Sequence, residues 1–155
     1  MSEQLQDWRN DGVKVISGKH LDRNTPQTEG MTRAAAINFA TAGARKLWAG
    51  TVKIHPNAKT GAHHHGELES IIYVIKGRAR MRWGEKLENA AEAGPGDFIY
   101  VPPFVPHQEI NADKNEPLYC VLVRSDQDAI VVNLDIPVVE ERNGLRWTDP
   151  IHPSA

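Results

Sequence analysis

The feature that most constrains this chain is a histidine-rich stretch at residues 61–77, which reads GAHHHGELESIIYVIKG. Side chains alternate between the two faces of an extended strand, so His63 and His65 share one face while His64 points to the other. Glu69 follows after a glycine bend and is expected to return a carboxylate to the face of the two imidazoles. Such nitrogen and oxygen donors suit divalent Fe, Mn, Ni, Co or Zn better than Cu(I) or Ca²⁺.

Adjacent histidines also occur in exposed loops and in purification tags, so this spacing alone leaves two interpretations open. Three histidines in mid-chain are too few, and in the wrong place, for a tag. A second stretch at residues 94–111 favours a metal site, because a glycine turn, a short apolar strand and a proline corner lead to a lone histidine, His107. We therefore predict His63, His65, Glu69 and His107 as ligands of one divalent metal ion.

The two stretches resemble the paired motifs of the cupin superfamily. The first family motif reads Gly, five residues, His-x-His, three or four residues, Glu, six residues, Gly. The second reads Gly, five residues, Pro-x-Gly, two residues, His, three residues, Asn. The matching positions are His63, His65 and Gly77 in the first motif and Gly96, Pro102, His107 and Asn111 in the second. Asn57 and Phe104 occupy two positions where the family has glycine.

The carboxylate position depends on which end of the first motif is counted. Counting from His65 gives Glu69, whereas counting back from Gly77 gives Ser70. Only one of two adjacent residues faces the cavity in a regular strand. We predict Glu69, because a carboxylate neutralises metal charge and a serine hydroxyl is a poor ligand. The extra residue would then be absorbed before Gly77 as a bulge or a longer turn.

Short β-forming segments separated by Gly, Pro, Asn and Asp predict an all-β chain. The expected strands lie at residues 47–55, 70–76, 78–83, 87–91, 97–101, 107–111, 118–124 and 130–134. No amphipathic helices separate them, which indicates an antiparallel sandwich or barrel. The cupin resemblance implies the same architecture, a double-stranded β-helix or jelly-roll barrel.

At 155 residues the chain is expected to form one domain. We divide it into an N-terminal arm at residues 1–44, the barrel at 45–134 and a C-terminal extension at 135–155. The arm is interpreted as wrapping the barrel or a partner, although for residues 31–44 a strand pairing or packing across a second subunit fits the sequence equally well. Exposed sheet edges and two long terminal segments together predict a homodimer.

Composition narrows the partners. The formal net charge is -2, and basic residues are scattered among acidic ones, which argues against nucleic-acid binding. No run of eighteen apolar residues and no signal-peptide core occur, so we expect a cytoplasmic protein without a membrane segment. Cys120 is the only cysteine and lies in an apolar run, which favours a buried thiol. A small molecule is the expected partner.

Two further residues are candidates for catalysis. Glu109 shares the face of His107 if no bulge intervenes, where it would orient a ligand or exchange protons; a salt bridge at the barrel mouth is equally compatible. Tyr73 shares the face of Glu69 together with Ile71 and Ile75, which predicts an apolar pocket with one phenol. Core packing remains the alternative for Tyr73.

The resemblance implies dioxygenases, oxalate-type decarboxylases, sugar isomerases, lyases and non-catalytic binders, so the fold cannot choose among them. Our first hypothesis is a metal-dependent enzyme of dioxygenase or decarboxylase type, acting on a small, oxygen-rich chelating molecule. The second is a sensor or storage module that binds without turnover. The third is a metal held only for stability.

Overall fold

The computed structural model describes residues 7–137 and 144–152. Those residues form one short helix, α1 (Phe39–Ala42), and eleven strands. The strands are β1 (Met31–Ile37), β2 (Trp48–Ile54), β3 (His63–His64), β4 (Ser70–Lys76), β5 (Ala79–Trp83), β6 (Asn89–Ala93), β7 (Phe98–Val101), β8 (His107–Asn111), β9 (Leu118–Arg124), β10 (Val132–Asn133) and β11 (Arg146–Trp147). No helix in these ranges has the length and hydropathy needed to cross a membrane.

The strands form two sheets. One sheet has the order β1-β2-β9-β4-β7 and the other the order β10-β3-β8-β5-β6-β11. Neighbours such as β2 and β9 are far apart in sequence and pair antiparallel, as a jelly roll requires. The predicted all-β, double-stranded β-helix architecture is confirmed.

The core lies between the two sheets because alternate residues of each strand point inward. Along β9 every second residue from Leu118 to Arg124 is buried, and β2 follows the same pattern. Val74 in β4 has no exposed surface, and Leu118 has 1%. Cys120 belongs to this core, and burial raises the pKa of its thiol to about 12. It is therefore a packed, unreactive side chain.

Both sheets extend beyond residues 45–134. Strand β1 lies inside the segment expected to be an arm, yet it pairs antiparallel with β2 along its length. Its alanines are buried against the core, with Ala35 at 0% exposure. At the other end, β11 adds to the edge of the six-stranded sheet by pairing with β6. Residues 31–37 therefore contribute a strand to the barrel. A strand pairing in this segment was one of the alternatives that the sequence left open.

Three tight turns explain the motif glycines and their replacements. Gly77 has φ +99°, and a Cβ at this position would lie 2.9 Å from the Pro117 carbonyl oxygen, so only glycine fits without a shift of the chain. Asn57 and Phe104 have φ values of 58° and 61°. These two positions therefore keep the left-handed conformation that glycine adopts most easily, even though a side chain is present.

The register of β4 decides which of its side chains face the core. Ser70 pairs with Arg124 and Ile72 with Leu122 on β9, and β7 pairs with the opposite edge of β4. Ser70, Ile72 and Val74 are therefore buried, whereas Ile71 and Ile75 are exposed on the outer face. A register irregularity between Val74 and Lys76 absorbs one residue before the turn.

The outer face of β4 and β7 carries an apolar patch. Its exposed members are Ile71, Ile75, Phe98 and Tyr100. Contiguous exposed apolar surface is typical of interaction sites. The homodimer expected from the sequence remains a prediction, and this patch is one face that it could use.

We expect Leu118→Ala to lower the free energy of unfolding by about 2–5 kcal/mol, because it leaves a cavity in a fully packed core. Urea unfolding of the metal-free protein, followed by circular dichroism, measures this change. Val13→Ala is the control, since Val13 is 99% exposed and its truncation should cost less than about 0.5 kcal/mol. Equal effects of the two substitutions would contradict the inward placement of β9.

Candidate metal centre

Three histidines from two neighbouring strands converge inside the barrel. His63 lies on β3 opposite His107, the first residue of β8, and His65 follows β3 directly. One ligand nitrogen from each ring lies within 4.8 Å of the others. The ring centroids are 4.4 to 5.0 Å apart. His64 points away and packs its ring against Phe104, as alternation along the strand requires.

Main-chain carbonyls fix the orientation of all three rings. The Nδ1 atoms of His63, His65 and His107 lie 2.9, 2.8 and 2.9 Å from the carbonyl oxygens of Gly61, Ile130 and Val105, respectively. A carbonyl oxygen only accepts, so each Nδ1 carries the proton and each Nε2 keeps its lone pair. Tautomers fixed in this way are characteristic of metal-binding histidines.

Burial keeps the imidazoles of His63 and His65 neutral. Desolvation lowers the pKa of His63 below its ordinary value of 6.5, with His107 and Arg33 adding to the effect against the raising influence of Glu109. Desolvation lowers the pKa of His65 to about 4. Neutral imidazole is the form that binds metals, so the site is ready to coordinate a cation at neutral pH.

The structure does not bring Glu69 to the histidines, which corrects the predicted carboxylate ligand. Its carboxylate accepts a hydrogen bond from the Tyr100 hydroxyl at 2.6 Å on the outer face of the barrel. Ser70 occupies the inward position, with 3% of its surface exposed. Turning Glu69 inward would also turn Ile72 and Val74 outward and place Ile71, Tyr73 and Ile75 in the core, so the whole strand would have to repack.

Tyr73 is likewise absent from the site, because it lies on the same outer face as Glu69. It is half-buried, and its ring packs against Phe98 with centroids 4.7 Å apart. The structure therefore gives Tyr73 a packing contact, the alternative that the sequence had left open. The expected phenol does not line the histidine cavity.

Glu109 is the acidic residue that the structure places beside the histidines. It lies two residues after His107 on β8 and is 9% exposed, and its Oε2 atom is buried without a hydrogen-bond partner among the described residues. Burial raises the pKa of Glu109, but His107 and His63 in their protonated forms, together with Arg33, lower it, and the net pKa lies below its ordinary value. Of these charges only Arg33 is permanent, and it favours the carboxylate form of Glu109.

Two arginines on the five-stranded sheet complete the surroundings of the histidines. No sequence motif marked them as site residues. Arg33 on β1 and Arg124 on β9 are 8% and 5% exposed, respectively. Arg124 has the same inward alternation as Leu118, Cys120 and Leu122, and this signal could have been noticed in the sequence. Arg33 belongs to a segment whose strand character the sequence did not establish.

Two cavities reach the cluster. The smaller, about 60 Å³, is lined at its polar end by His65, His107, Ser70, Glu109, Arg33 and Arg124. The larger, about 620 Å³, lies beside β5, β6 and β7 and is lined by apolar side chains that include Met81, Trp83 and Val105. His107 and Val101 line both cavities. A ligand at the histidines therefore has polar surroundings on one side and apolar surroundings on the other.

The residues present fit a divalent metal ion. The Nε2 atom of His107 is buried and lacks a hydrogen-bond partner among the described residues, although it is held in the acceptor form. An unpaired buried acceptor is costly, and a cation at the centre of the three rings would satisfy it. Three imidazole donors suit Fe, Mn, Ni, Co and Zn, the metals expected from the sequence.

Comparison with known proteins agrees with this architecture. Residues 50–124 match the family model described as Cupin domain. The matched segment begins in β2 and ends with β9, and it includes all three histidines. This match to a cupin domain, together with the fold, confirms the resemblance to the cupin superfamily that the paired motifs predicted. No match was found among curated proteins.

Solved structures share the fold. The polyketide cyclase RemF from Streptomyces resistomycificus has a TM-score of 0.66 at 22% identity, covering 81% of this chain and 87% of that one. A protein with a double-stranded β-helix domain from Klebsiella pneumoniae has a TM-score of 0.60 at 19% identity, covering 79% and 98%. Oxalate decarboxylase from Bacillus subtilis has a TM-score of 0.58 at 25% identity, and the match covers 70% of this chain but 28% of the decarboxylase.

We expect His65→Ala to weaken metal binding by about 100-fold or more, because it removes a ligand nitrogen, while Glu69→Gln should change metal affinity by less than about twofold. Competition with a chromogenic chelator at limiting metal measures both affinities. Ser70→Ala should also be nearly silent. A large loss of affinity in Glu69→Gln would contradict the outward placement of this residue.

The metal-free protein should lose stability as the pH falls from about 6.5 towards 4. The unfolded chain then protonates His65 near its ordinary pKa of 6.5, whereas the folded chain does so only near 4. Protons therefore favour the unfolded state within this window. Urea unfolding at pH 7 and pH 5 in the presence of a chelator measures the slope. His65→Gln, which cannot titrate, should flatten it, and an unchanged slope would contradict the neutral, buried imidazole.

Proposed function

We propose that this cupin is a metal-dependent enzyme of decarboxylase or dioxygenase type that acts on a small, oxygen-rich chelating molecule. The observation that supports this best is the set of three imidazoles whose Nδ1 atoms contact main-chain carbonyls and whose ligand nitrogens lie within 4.8 Å of one another. His63, His65 and His107 would hold the metal. Because Glu69 is not a ligand, about three positions of an octahedral metal shell would stay open. They are enough for a bidentate substrate and one further molecule.

A divalent ion in this position supplies Lewis acidity and, when it is Fe or Mn, electron exchange with O₂. The chain's own contribution begins with ring orientation, since the Gly61, Val105 and Ile130 carbonyls keep each Nε2 directed at the centre. His107 and Glu109 are buried, with 2% and 9% of their surfaces exposed, so bulk water has little access to them. This strengthens every electrostatic contact that a substrate would make with the site.

Glu109 is the proposed proton-exchanging residue. Its unpartnered Oε2 is buried beside the histidines, and its pKa lies below its ordinary value, so it is a carboxylate at neutral pH. A carboxylate in this position can take a proton from a chelating substrate as it binds, or return one to a carbon centre later. The Glu109 main-chain N–H is bonded to the Thr60 hydroxyl at 3.0 Å, which holds the strand in place.

The likeness to oxalate decarboxylase supports the proposed decarboxylase activity, because the two chains share the fold and are 25% identical over the matched residues. The decarboxylase matches this chain over only 28% of its own length, so its activity is not transferred whole. The binding or sensing alternative uses the same pocket. Metal and ligand would bind, but Glu109 would have no proton to move.

Turnover distinguishes the two functions. The full-length protein is loaded with Fe²⁺, Mn²⁺, Ni²⁺, Co²⁺ or Zn²⁺ and screened for O₂ consumption and CO₂ release with oxalate, β-diketones and catechols. We expect turnover with at least one combination.

Glu109→Gln should lower kcat by about 100-fold or more while retaining the metal, because general acid–base catalysis contributes this much. The exposed Glu67→Gln is the control and should have wild-type activity.

Tight ligand binding without turnover across the panel would instead support the non-catalytic binder. Loss of the metal with a collapse of the melting temperature, and no binding of any chelator, would support a purely structural ion. Either result overturns the proposed enzyme.

A further inference from the structure

We propose that Arg33 and Arg124 form an anion-binding subsite that holds a carboxylate group of the molecule bound at the three histidines. The substrate class is then a small carboxylic acid rather than an enediol, β-diketone or catechol, none of which carries a carboxylate group. This inference deepens the proposed function and rests on it.

The two guanidinium groups face the histidines across the barrel. Arg33 and Arg124 project inward from β1 and β9 of the five-stranded sheet, whereas His63 and His107 belong to strands of the other sheet. Both arginines line the cavity of about 60 Å³ that His65 and His107 also line. A ligand in this cavity therefore meets metal-binding nitrogens on one side and guanidinium groups on the other.

Neither arginine forms a direct ion pair with an acidic side chain among the described residues, although Glu109 lines the same cavity and interacts with Arg33 at longer range. Burying a guanidinium group without an anion costs several kcal/mol, so buried arginines are normally paired. Here both Nε atoms are buried and without a hydrogen-bond partner among the described residues. The ion pairs within residues 7–137 and 144–152 do not involve Arg33 or Arg124. An incoming carboxylate would supply the missing partner.

Both guanidinium groups are held in place before any ligand binds. Arg33 donates a hydrogen bond from Nη1 to the Thr28 hydroxyl at 2.7 Å, and its Nη2 lies 3.8 Å from the Met31 sulfur. Arg124 lies over the ring of Trp48, 4.1 Å from its centroid. Stacking on an aromatic face leaves the planar N–H edge of a guanidinium group free to bind a carboxylate. Such pre-organisation lowers the entropy cost of binding.

The electrostatics of the cavity favour an anion. Burial, and next the charge of Arg33, lower the pKa of Arg124 to about 10, so both groups stay positive at neutral pH and repel each other. Glu109 is the one carboxylate among the residues that line this cavity. Adding a divalent cation at neutral histidines increases the excess of positive charge. A ligand that places a carboxylate at the two guanidinium groups would relieve the repulsion, whereas a chelator whose charged atoms lie only at the metal would not.

The size of the cavity restricts the ligand. One water molecule needs a cavity volume of about 10–15 Å³. The cavity of about 60 Å³ therefore accommodates a molecule of a few heavy atoms. Carboxylates of two to four carbons fit this space. The cavity of about 620 Å³ on the other side of His107 is lined mainly by apolar groups and does not include either arginine.

Calorimetric titration of the Zn²⁺-loaded, full-length protein tests the subsite with two chelating probes. Oxalate carries carboxylates, whereas acetylacetone is a chelator without one. We expect Arg33→Met and Arg124→Met each to weaken oxalate binding by about tenfold or more, the range for a charge-assisted hydrogen bond. Acetylacetone binding should change by less than about twofold, and zinc content measured after each titration should stay at the wild-type level.

Arg78→Met is the matched control. It removes the same charge, but Arg78 is paired with Glu92 at 2.7 Å on the outer face. We expect it to bind both probes as the wild type does. If either methionine variant fails to fold, Arg33→Lys and Arg124→Lys replace it, because lysine keeps the charge but loses the planar fork, and oxalate binding should still weaken several-fold.

The outcomes separate this inference from the proposed function. Oxalate binding that is unchanged in the arginine variants, while acetylacetone still binds at the zinc, overturns the subsite and leaves the metal centre standing. Oxalate binding that depends on the arginines in a protein that retains no metal overturns the metal centre and leaves the subsite standing. Failure of both probes to bind the wild type overturns both.

Discussion

The core between the two sheets is the constraint on which the site depends. Ile72 and Val74 pack inward against Leu122 and Cys120 of β9, and this packing fixes the register of β4. Alternation then leaves no choice for the residues at the start of that strand, so Ser70 enters the cavity and Glu69 remains outside. A single apolar contact surface thus decides the donor set of a site several residues away. Core packing therefore determines which side chains can act as metal ligands.

The same constraint creates the charge distribution of the cavity. Inward alternation along β9 ends at Arg124, and alternation along β1 buries Arg33, so the fold carries two guanidinium groups into its interior. Burial lowers the pKa of His63 and of His65, so these two imidazoles are neutral at neutral pH. A positively charged, pre-oriented cavity results, and it costs folding free energy that a bound anion would partly return.

The fold could be predicted from the sequence because its signals are local. Three expected strands, 70–76, 107–111 and 118–124, coincide with β4, β8 and β9, since glycine, proline and asparagine bound them sharply. Strand β1 was less clear because a run of alanines also favours a helix. Its strand character comes from pairing with β2, which is a tertiary effect.

The histidines could be located from the sequence, but the carboxylate could not. His63, His65 and His107 follow from alternation and the two motifs, whereas the choice between Glu69 and Ser70 depended on register. The longer form of the first motif, with four residues before the carboxylate position, already places Ser70 there and also satisfies the count to Gly77. The expected preference for a carboxylate ligand favoured Glu69 over that count, whereas the register of β4 depends on its pairing and packing along the whole strand. Arg33 and Arg124 carried no motif, and only the juxtaposition of two sheets brings them to the site.

The most direct test of the central claim is an anomalous difference map from crystals of the metal-loaded protein. It should show one ion bound by the Nε2 atoms of His63, His65 and His107 at about 2.0–2.2 Å, with the Glu69 carboxylate still on the outer face beside Tyr100. An ion coordinated by Glu69, or an ion bound away from the three histidines, would contradict this account.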